Sequence, residues 1–243
     1  MKDYSCTTIG KNMEKNKNMK DFSVHYQTWK NEKATEFVIS KFRQYFPNNK
    51  MRVVSDNGAD YFHLIEKYGI DFEFSDINVL PGGRFKTIEG CYEWLKRVFD
   101  TCLLYDTEWI VIFEDDVLTA NDKIFFPTED SGGMICWPWN TEMNLILKSR
   151  NTKNKLFGYG MSGGSIFRRE AFINSYAKID EFDLKKLSLY DKRIIGWSDA
   201  LMSCFLQYFG FSYQIWEGTD DMTYPGRVVS DISCFIHGYK ELY

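Results

Sequence analysis

The sequence predicts an α/β protein with a doubly wound, mostly parallel central sheet flanked by helices and a small C-terminal extension. Three observations predict it. Between Phe22 and Tyr105, short apolar segments alternate with amphipathic ones in strand–helix order, the pattern that winds a parallel sheet. Trp109–Phe113 (WIVIF) runs through β-branched and aromatic residues without a charge, as a strand covered on both faces does. That run stops at Glu114, Asp115 and Asp116, just past the carboxyl end of the strand, where open α/β sheets place their ligands.

The elements follow in order. Met1–Lys20, with its KNMEKNKNMK stretch, has no hydrophobic period and reads as a loose leader (1–20) before a single domain over 21–243. Phe22, Val24 and Tyr26 alternate with polar residues, so Phe22–Thr28 is a strand. Asn31 caps a helix over Glu32–Tyr45 that Pro47 closes. Met51–Ser55 is the next strand, ended by Asp56-Asn57-Gly58, and a short helix over Tyr61–Tyr68 leads to a strand near Phe72–Phe74. Leu80-Pro81-Gly82-Gly83-Arg84 turns into a long helix, Thr87–Tyr105, with Trp94, Leu95, Val98, Phe99 and Cys102 on one face. Beyond the central strand, Met134–Trp139 reads as a strand broken by Pro138, and Asn140–Lys155 as a loop or short edge element. Glycine-rich Phe157–Phe167 flows into a helix through Ala177, and Ser198–Phe209 is a further helix before the strand Phe211–Trp216. Glu217–Arg227 (EGTDDMTYPGR) has the composition of an exposed, mobile loop, with Asp220 and Asp221 in solvent.

Composition narrows the function. A net charge of −4 excludes a general nucleic-acid binder, so an anionic ligand must be met by local cations or a metal. The six cysteines form no CxxC pair and sit among apolar neighbours, as buried free thiols do. No N-glycosylation sequon, signal peptide or membrane-span stretch occurs, which implies a cytoplasmic protein, in host cytoplasm if the source is viral.

The three adjacent acids repel one another, and a cation or a proton must relieve that repulsion. Oxygen ligands at a strand tip suit Mn²⁺ or Mg²⁺, the ions that hold diphosphates; a solvated acidic turn is the alternative.

Taken together, Phe22 to Lys240 resembles a glycosyltransferase of the GT-A fold. The resemblance rests on four features in order: an opening strand with a polar end, the apolar strand closing in FEDDV, the Gly-rich Met161-Ser162-Gly163-Gly164-Ser165, and the acid of Gly196-Trp197-Ser198-Asp199 heading a helix. FEDDV resembles that family's D-x-D motif in an EDD form. The resemblance implies a nucleotide-sugar donor, UDP-linked, a divalent metal (commonly Mn²⁺) and transfer to a hydroxyl of a glycan or other acceptor. It implies Asp116, with Glu114 and His237, as metal ligands, and Asp115 facing the ribose or a metal-bound water. Gln27, Thr28 and Asp56 fall where the family holds base and ribose, with Arg84 a phosphate or base clamp. Ser162, Gly163 and Gly164 fall between donor sugar and acceptor, Asp199 at the base of inverting enzymes, and Lys240 near a phosphate.

Each residue also has a plainer role. Asp56 can simply form a turn before Asn57-Gly58, Arg84 can be solvated, the glycines can make a tight turn, and Asp199 can complement a helix N-terminus. His237 can be structural, as His25 and His63 are expected to be. Trp137, Trp139, Trp197 and Trp216 can stack on a sugar, although most are expected in the core.

Three rival readings remain. A sugar-nucleotide nucleotidyltransferase uses a similar sheet, but usually opens with a basic Gly-rich loop that FSVHYQTWKN lacks. A catalytically silent nucleotide-sugar-binding domain would have lost the acids, which are all present. A DxD-type phosphatase needs a nucleophilic Asp ending the first strand, and Asp21 precedes it.

Overall fold

The computed structural model describes residues 21–151, 154–161, 163–223 and 229–238. The expected leader, Ser162, Lys240 and the Arg227 end of the expected loop lie outside these residues. The chain runs through β1 (Phe22–Thr28), α1 (Glu32–Tyr45), β2 (Met51–Asp56), α2 (His63–Tyr68), β3 (Asp71–Ser75), α3 (Ile88–Leu104) and β4 (Trp109–Phe113). It continues with β5 (Leu118–Thr119), β6 (Ser131–Gly133), β7 (Trp137–Pro138), α4 (Thr141–Arg150), β8 (Gly158–Tyr159), β9 (Ile166–Arg168) and α5 (Arg169–Tyr176). The last elements are α6 (Leu184–Tyr190), α7 (Ser198–Tyr208), β10 (Tyr213–Ile215), β11 (Thr219–Asp221) and β12 (Phe235–His237).

Seven strands form the main sheet in the order β10-β6-β9-β4-β1-β2-β3. β1 pairs in parallel with both β2 and β4, β2 with β3, and β6 with β10; only β9 runs antiparallel to its neighbours. β4 is the hinge of the design. Its Trp109, Val111 and Phe113 enter the cluster that α1 and α2 cover, while Ile110 and Ile112 enter the larger one under α3, α5 and α7. The whole strand is buried, which is why it carries no polar residue until it leaves the sheet. The helices start where local chemistry predicts: Asn31 accepts from the Ala34 N–H and Thr87 from the Gly90 N–H.

Three expectations need correction. Asn140–Lys155 contains a helix: the Asn140 side chain caps the Met143 N–H at 2.9 Å, and Met143 and Leu147, one turn apart, are buried. Its polar ends concealed that short apolar face. Met134–Trp139 is not one broken strand: within it only Trp137–Pro138, β7, is strand, and β6 lies just before it and runs through Gly132 and Gly133. These glycines mark close packing, since a Cβ on Gly132 would lie 2.7 Å from the Trp216 Cβ and one on Gly133 2.3 Å from the Gly160 carbonyl oxygen. Asp220 and Asp221 do not face solvent. They are buried in β11, which pairs with β12.

A second sheet, ordered β11-β12-β5, is the small C-terminal extension. Cys91, Cys102, Cys204 and Cys234 are buried free thiols, as expected. Among the described residues no helix is long and apolar enough to cross a membrane.

Candidate active site

The second sheet builds the site. β5 begins two residues after Asp116 and pairs antiparallel with β12, with Ile236 opposite Leu118, so His237 is carried back to the acids. β11 runs parallel to β12 with Asp221 opposite His237. The imidazole therefore stands among three carboxylates from two segments, the strand tip after β4 and β11. Its Nε2 is 3.3 Å from Glu114 Oε2 and 3.4 Å from Asp116 Oδ1, and its Nδ1 is 3.5 Å from Asp221 Oδ2. Asp221 is itself fixed, its Oδ1 accepting from the Thr223 N–H at 2.7 Å and the Thr223 hydroxyl at 2.6 Å.

Burial opposes charge on His237, yet the hydrogen bonds and charges of Asp221, Glu114 and Asp116 outweigh it and raise its pKa well above the usual imidazole value. Burial likewise pushes Glu114 up, but His237 holds it below the ordinary carboxylate range. The same contest holds Asp221 at about 2. Such a nest of acids requires a cation, and without a metal the imidazolium supplies it.

The residues also fit a metal. Ligand atoms of Glu114, Asp116 and His237 all lie within 4.8 Å of one another. Two carboxylates and one imidazole suit Mn²⁺ or a similar divalent ion. Asp221 at Nδ1 would fix the ring so that Nε2 faces the ion, the usual carboxylate–histidine arrangement. Asp115 turns the other way, toward β1, accepting from the Tyr26 hydroxyl at 2.9 Å, and burial raises its pKa.

Beside this cluster opens a cleft of about 780 Å³, at the carboxyl ends of β1, β2 and β4. It brings together most of the residues singled out in the sequence: Gln27, Thr28, Asp56, the three acids, Asp199 and His237. The Gln27 amide has neither of its polar atoms hydrogen-bonded within the protein, although both are buried. Thr28 shares a hydroxyl hydrogen bond with Thr35 at 2.6 Å.

Asp56 is more deeply committed than a turn-forming Asp. Its Oδ1 accepts from Arg97 Nη1 at 2.7 Å and the Val79 N–H at 2.8 Å, and its Oδ2 from the Leu80 N–H at 3.0 Å. It thereby anchors the turn whose Gly82 and Gly83, both at positive φ, line the cleft. Arg84 is exposed, outside the residues that line the cleft, with its guanidinium 5.7 Å from the Trp197 ring centroid.

Asp199 stands in the first turn of α7 and accepts from the Ala200 N–H at 2.7 Å. Its pKa is raised to about 6, first by burial and then by the charge of Glu114. Gly163 and Gly164 are not among the described residues lining the cleft; they pack behind the cluster. A Cβ on Gly163 would lie 2.6 Å from Val117 Cγ2 and 2.9 Å from His237 Cδ2, so the glycine lets the imidazole approach the strand tip. Gly164, at φ +86°, donates its N–H to the Ile112 carbonyl at 2.7 Å.

Several participants were missed in the sequence. Arg97 interrupts the apolar face of α3, and an arginine at that spacing was the available signal. His25, expected to be scaffold, lies on the cleft floor; it shares the strand face of Gln27, two residues on. Its Nδ1 meets the Thr101 hydroxyl at 2.8 Å, its Nε2 has no partner, and burial beside Arg52 and Arg97 keeps it neutral. Trp29 also lines the cleft. Asp221 carried no sequence signal beyond its charge.

No protein-family model and no curated protein matches the sequence. Solved structures do match. The galactosyltransferase LgtC, crystallised in complex with donor and acceptor sugar analogs, superimposes with a TM-score of 0.51 at 11% identity, over 88% of this chain and 86% of that one. The apo-form glycosyltransferase GlyE of Streptococcus pneumoniae TIGR4 gives a TM-score of 0.51 at 8% identity, over 92% of this chain and 55% of that one. The fold is that of these glycosyltransferases. At such identities the likeness extends to the fold alone, and this chain spans about half the length of GlyE.

Proposed function

We propose that the protein is a metal-dependent glycosyltransferase that takes a nucleoside diphosphate sugar, UDP-linked, and transfers its sugar to a hydroxyl acceptor. One observation carries this reading: Glu114, Asp116, His237 and Asp199 converge on a single cleft at the strand ends of a fold shared with two glycosyltransferases. A divalent ion held by Glu114, Asp116 and His237 would offset the negative charge that a leaving diphosphate gathers.

The chain's own groups supply the rest. The unpartnered Gln27 amide offers one donor and one acceptor side by side, the complement of a uracil edge. Asp115, on the β1 side, faces the half of the cleft where a ribose would lie. Asp199 takes the acceptor's proton as its oxygen attacks. A carboxylate at about 6 is ionised at neutral pH yet more basic than an ordinary one.

The test is release of nucleoside diphosphate from a panel of sugar nucleotides with Mn²⁺, and the anomeric configuration of any product. Turnover of one UDP-sugar with inversion is the expected result. Retention would remove Asp199 from the role of base, and transfer of a nucleotidyl group to a sugar phosphate would replace this reading with the nucleotidyltransferase one.

A further inference from the structure

The seven tryptophans divide sharply. Trp94, Trp109, Trp139 and Trp216 are at most 3% exposed, whereas Trp29, Trp137 and Trp197 are 44%, 41% and 37% exposed. All three exposed rings line the one cleft. Leaving an indole in water forgoes the burial that the other four achieve, so three such rings around one cavity call for a ligand. Trp29 follows β1 and belongs to the proposed nucleotide half. Trp137 and Trp197 belong to the other half: Trp137 lies in β7, and Trp197 is two residues from Asp199.

The two segments that carry these rings are joined by one residue, Arg193. Arg193 donates from Nη2 to the Pro138 carbonyl at 3.3 Å and from Nη1 to the Tyr159 hydroxyl at 3.0 Å. Its backbone carbonyl accepts the Trp197 N–H at 3.0 Å, and Asp191 fixes its Nε at 2.8 Å. Arg193 thus ties the antiparallel β7–β8 pair, where Trp137 stands opposite Tyr159, to the segment that carries Trp197 and Asp199. The Arg84 guanidinium rests against the Trp197 ring and further restrains it.

Resting on the function proposed above, we infer that Trp137 and Trp197 form the acceptor subsite, and that the acceptor is a saccharide whose pyranose ring stacks on them. The electron-poor C–H face of a pyranose matches the negative face of an indole. The hydroxyl rim of such a ring would meet Tyr159, Ser198 and Asp199, which line the cleft with Trp137 and Trp197. A lipid acceptor would instead need a continuous apolar groove, which these polar groups interrupt.

The test uses the full chain with ¹⁵N-labelled indoles, each signal assigned by a single Trp→Phe substitution. UDP with Mg²⁺ is added first, then methyl galactoside, lactose, maltose and cellobiose in turn, with a Ser/Thr peptide and octanol as controls. At least one saccharide should shift the Trp137 and Trp197 signals and leave Trp109 unmoved. Trp137→Ala and Trp197→Ala should each weaken that saccharide about ten-fold, the scale of one lost aromatic stack, and Trp→Phe should restore most of it. UDP binding with no saccharide shift at either indole would overturn the inference, as would saccharide affinity unchanged in both Ala variants or a response to the peptide or octanol alone. Saccharide shifts without any UDP binding would keep the platform and remove the transferase reading.

Discussion

Asp199→Asn should stabilise the metal-free protein and disable it at once. The Asp199 carboxyl is raised from its ordinary 3.8 to about 6, chiefly by burial and secondly by Glu114. A group whose pKa rises on folding binds its proton more tightly in the folded state. Its contribution is therefore full below about pH 4 and lost as pH rises through about 6. Above that, the folded protein carries a carboxylate it would prefer protonated, at a cost of about 3 kcal/mol at most. Asp199 is only half-buried, so solvent screening reduces this to roughly 1–2 kcal/mol. Asparagine keeps an oxygen for the Ala200 N–H and removes the charge. Thermal unfolding in EDTA should show Asp199→Asn melting roughly 2–8 °C above wild type at pH 8, with no difference at pH 4. The same variant should lose about 10²–10⁴-fold in kcat while donor affinity is nearly retained. A melting temperature below wild type at pH 8, or a gain equal at both pH values, would refute the reasoning.

Asp221→Asn should weaken Mn²⁺ binding about 10–100-fold, read by the EPR signal of free Mn²⁺, because the carboxylate that orients His237 is gone. Gly163→Ala should lower Mn²⁺ affinity and cost about 1–3 kcal/mol in denaturant unfolding, since its Cβ meets Val117 and His237. Arg97→Ala leaves Asp56 buried without its cation and should cost about 3–5 kcal/mol in the same unfolding assay, with Arg97→Lys recovering part of it.

Much of the architecture was legible because its signals are local. The uncharged WIVIF run, the Asn31 cap and the alternation of Phe22–Tyr26 each depend on a few neighbouring residues, and each appears where expected. The candidate site was legible where chemistry clusters in sequence, as in Glu114-Asp115-Asp116, or heads a helix, as at Asp199. The failures are long-range. Asp220 and Asp221 have the composition of a loop, and only pairing with β12 buries them. Met134–Trp139 has the composition of one strand, yet the longer strand is the preceding Ser131–Gly133, whose Gly132 and Gly133 admit Trp216 and Gly160 from far along the chain. Arg97 announces itself as a polar interruption, but its partner Asp56 lies 41 residues earlier.

The account stands most directly on whether the strand-tip acids couple a metal to a nucleoside diphosphate. Calorimetric titration of UDP into the protein, with and without Mn²⁺, measures that coupling. UDP should bind much more tightly with Mn²⁺, and Asp116→Ala, whose parent strand stays fully buried, should remain folded and lose the difference. Equal UDP affinity with and without Mn²⁺ in the wild-type protein, or Mn²⁺ enhancement intact in folded Asp116→Ala, would contradict it.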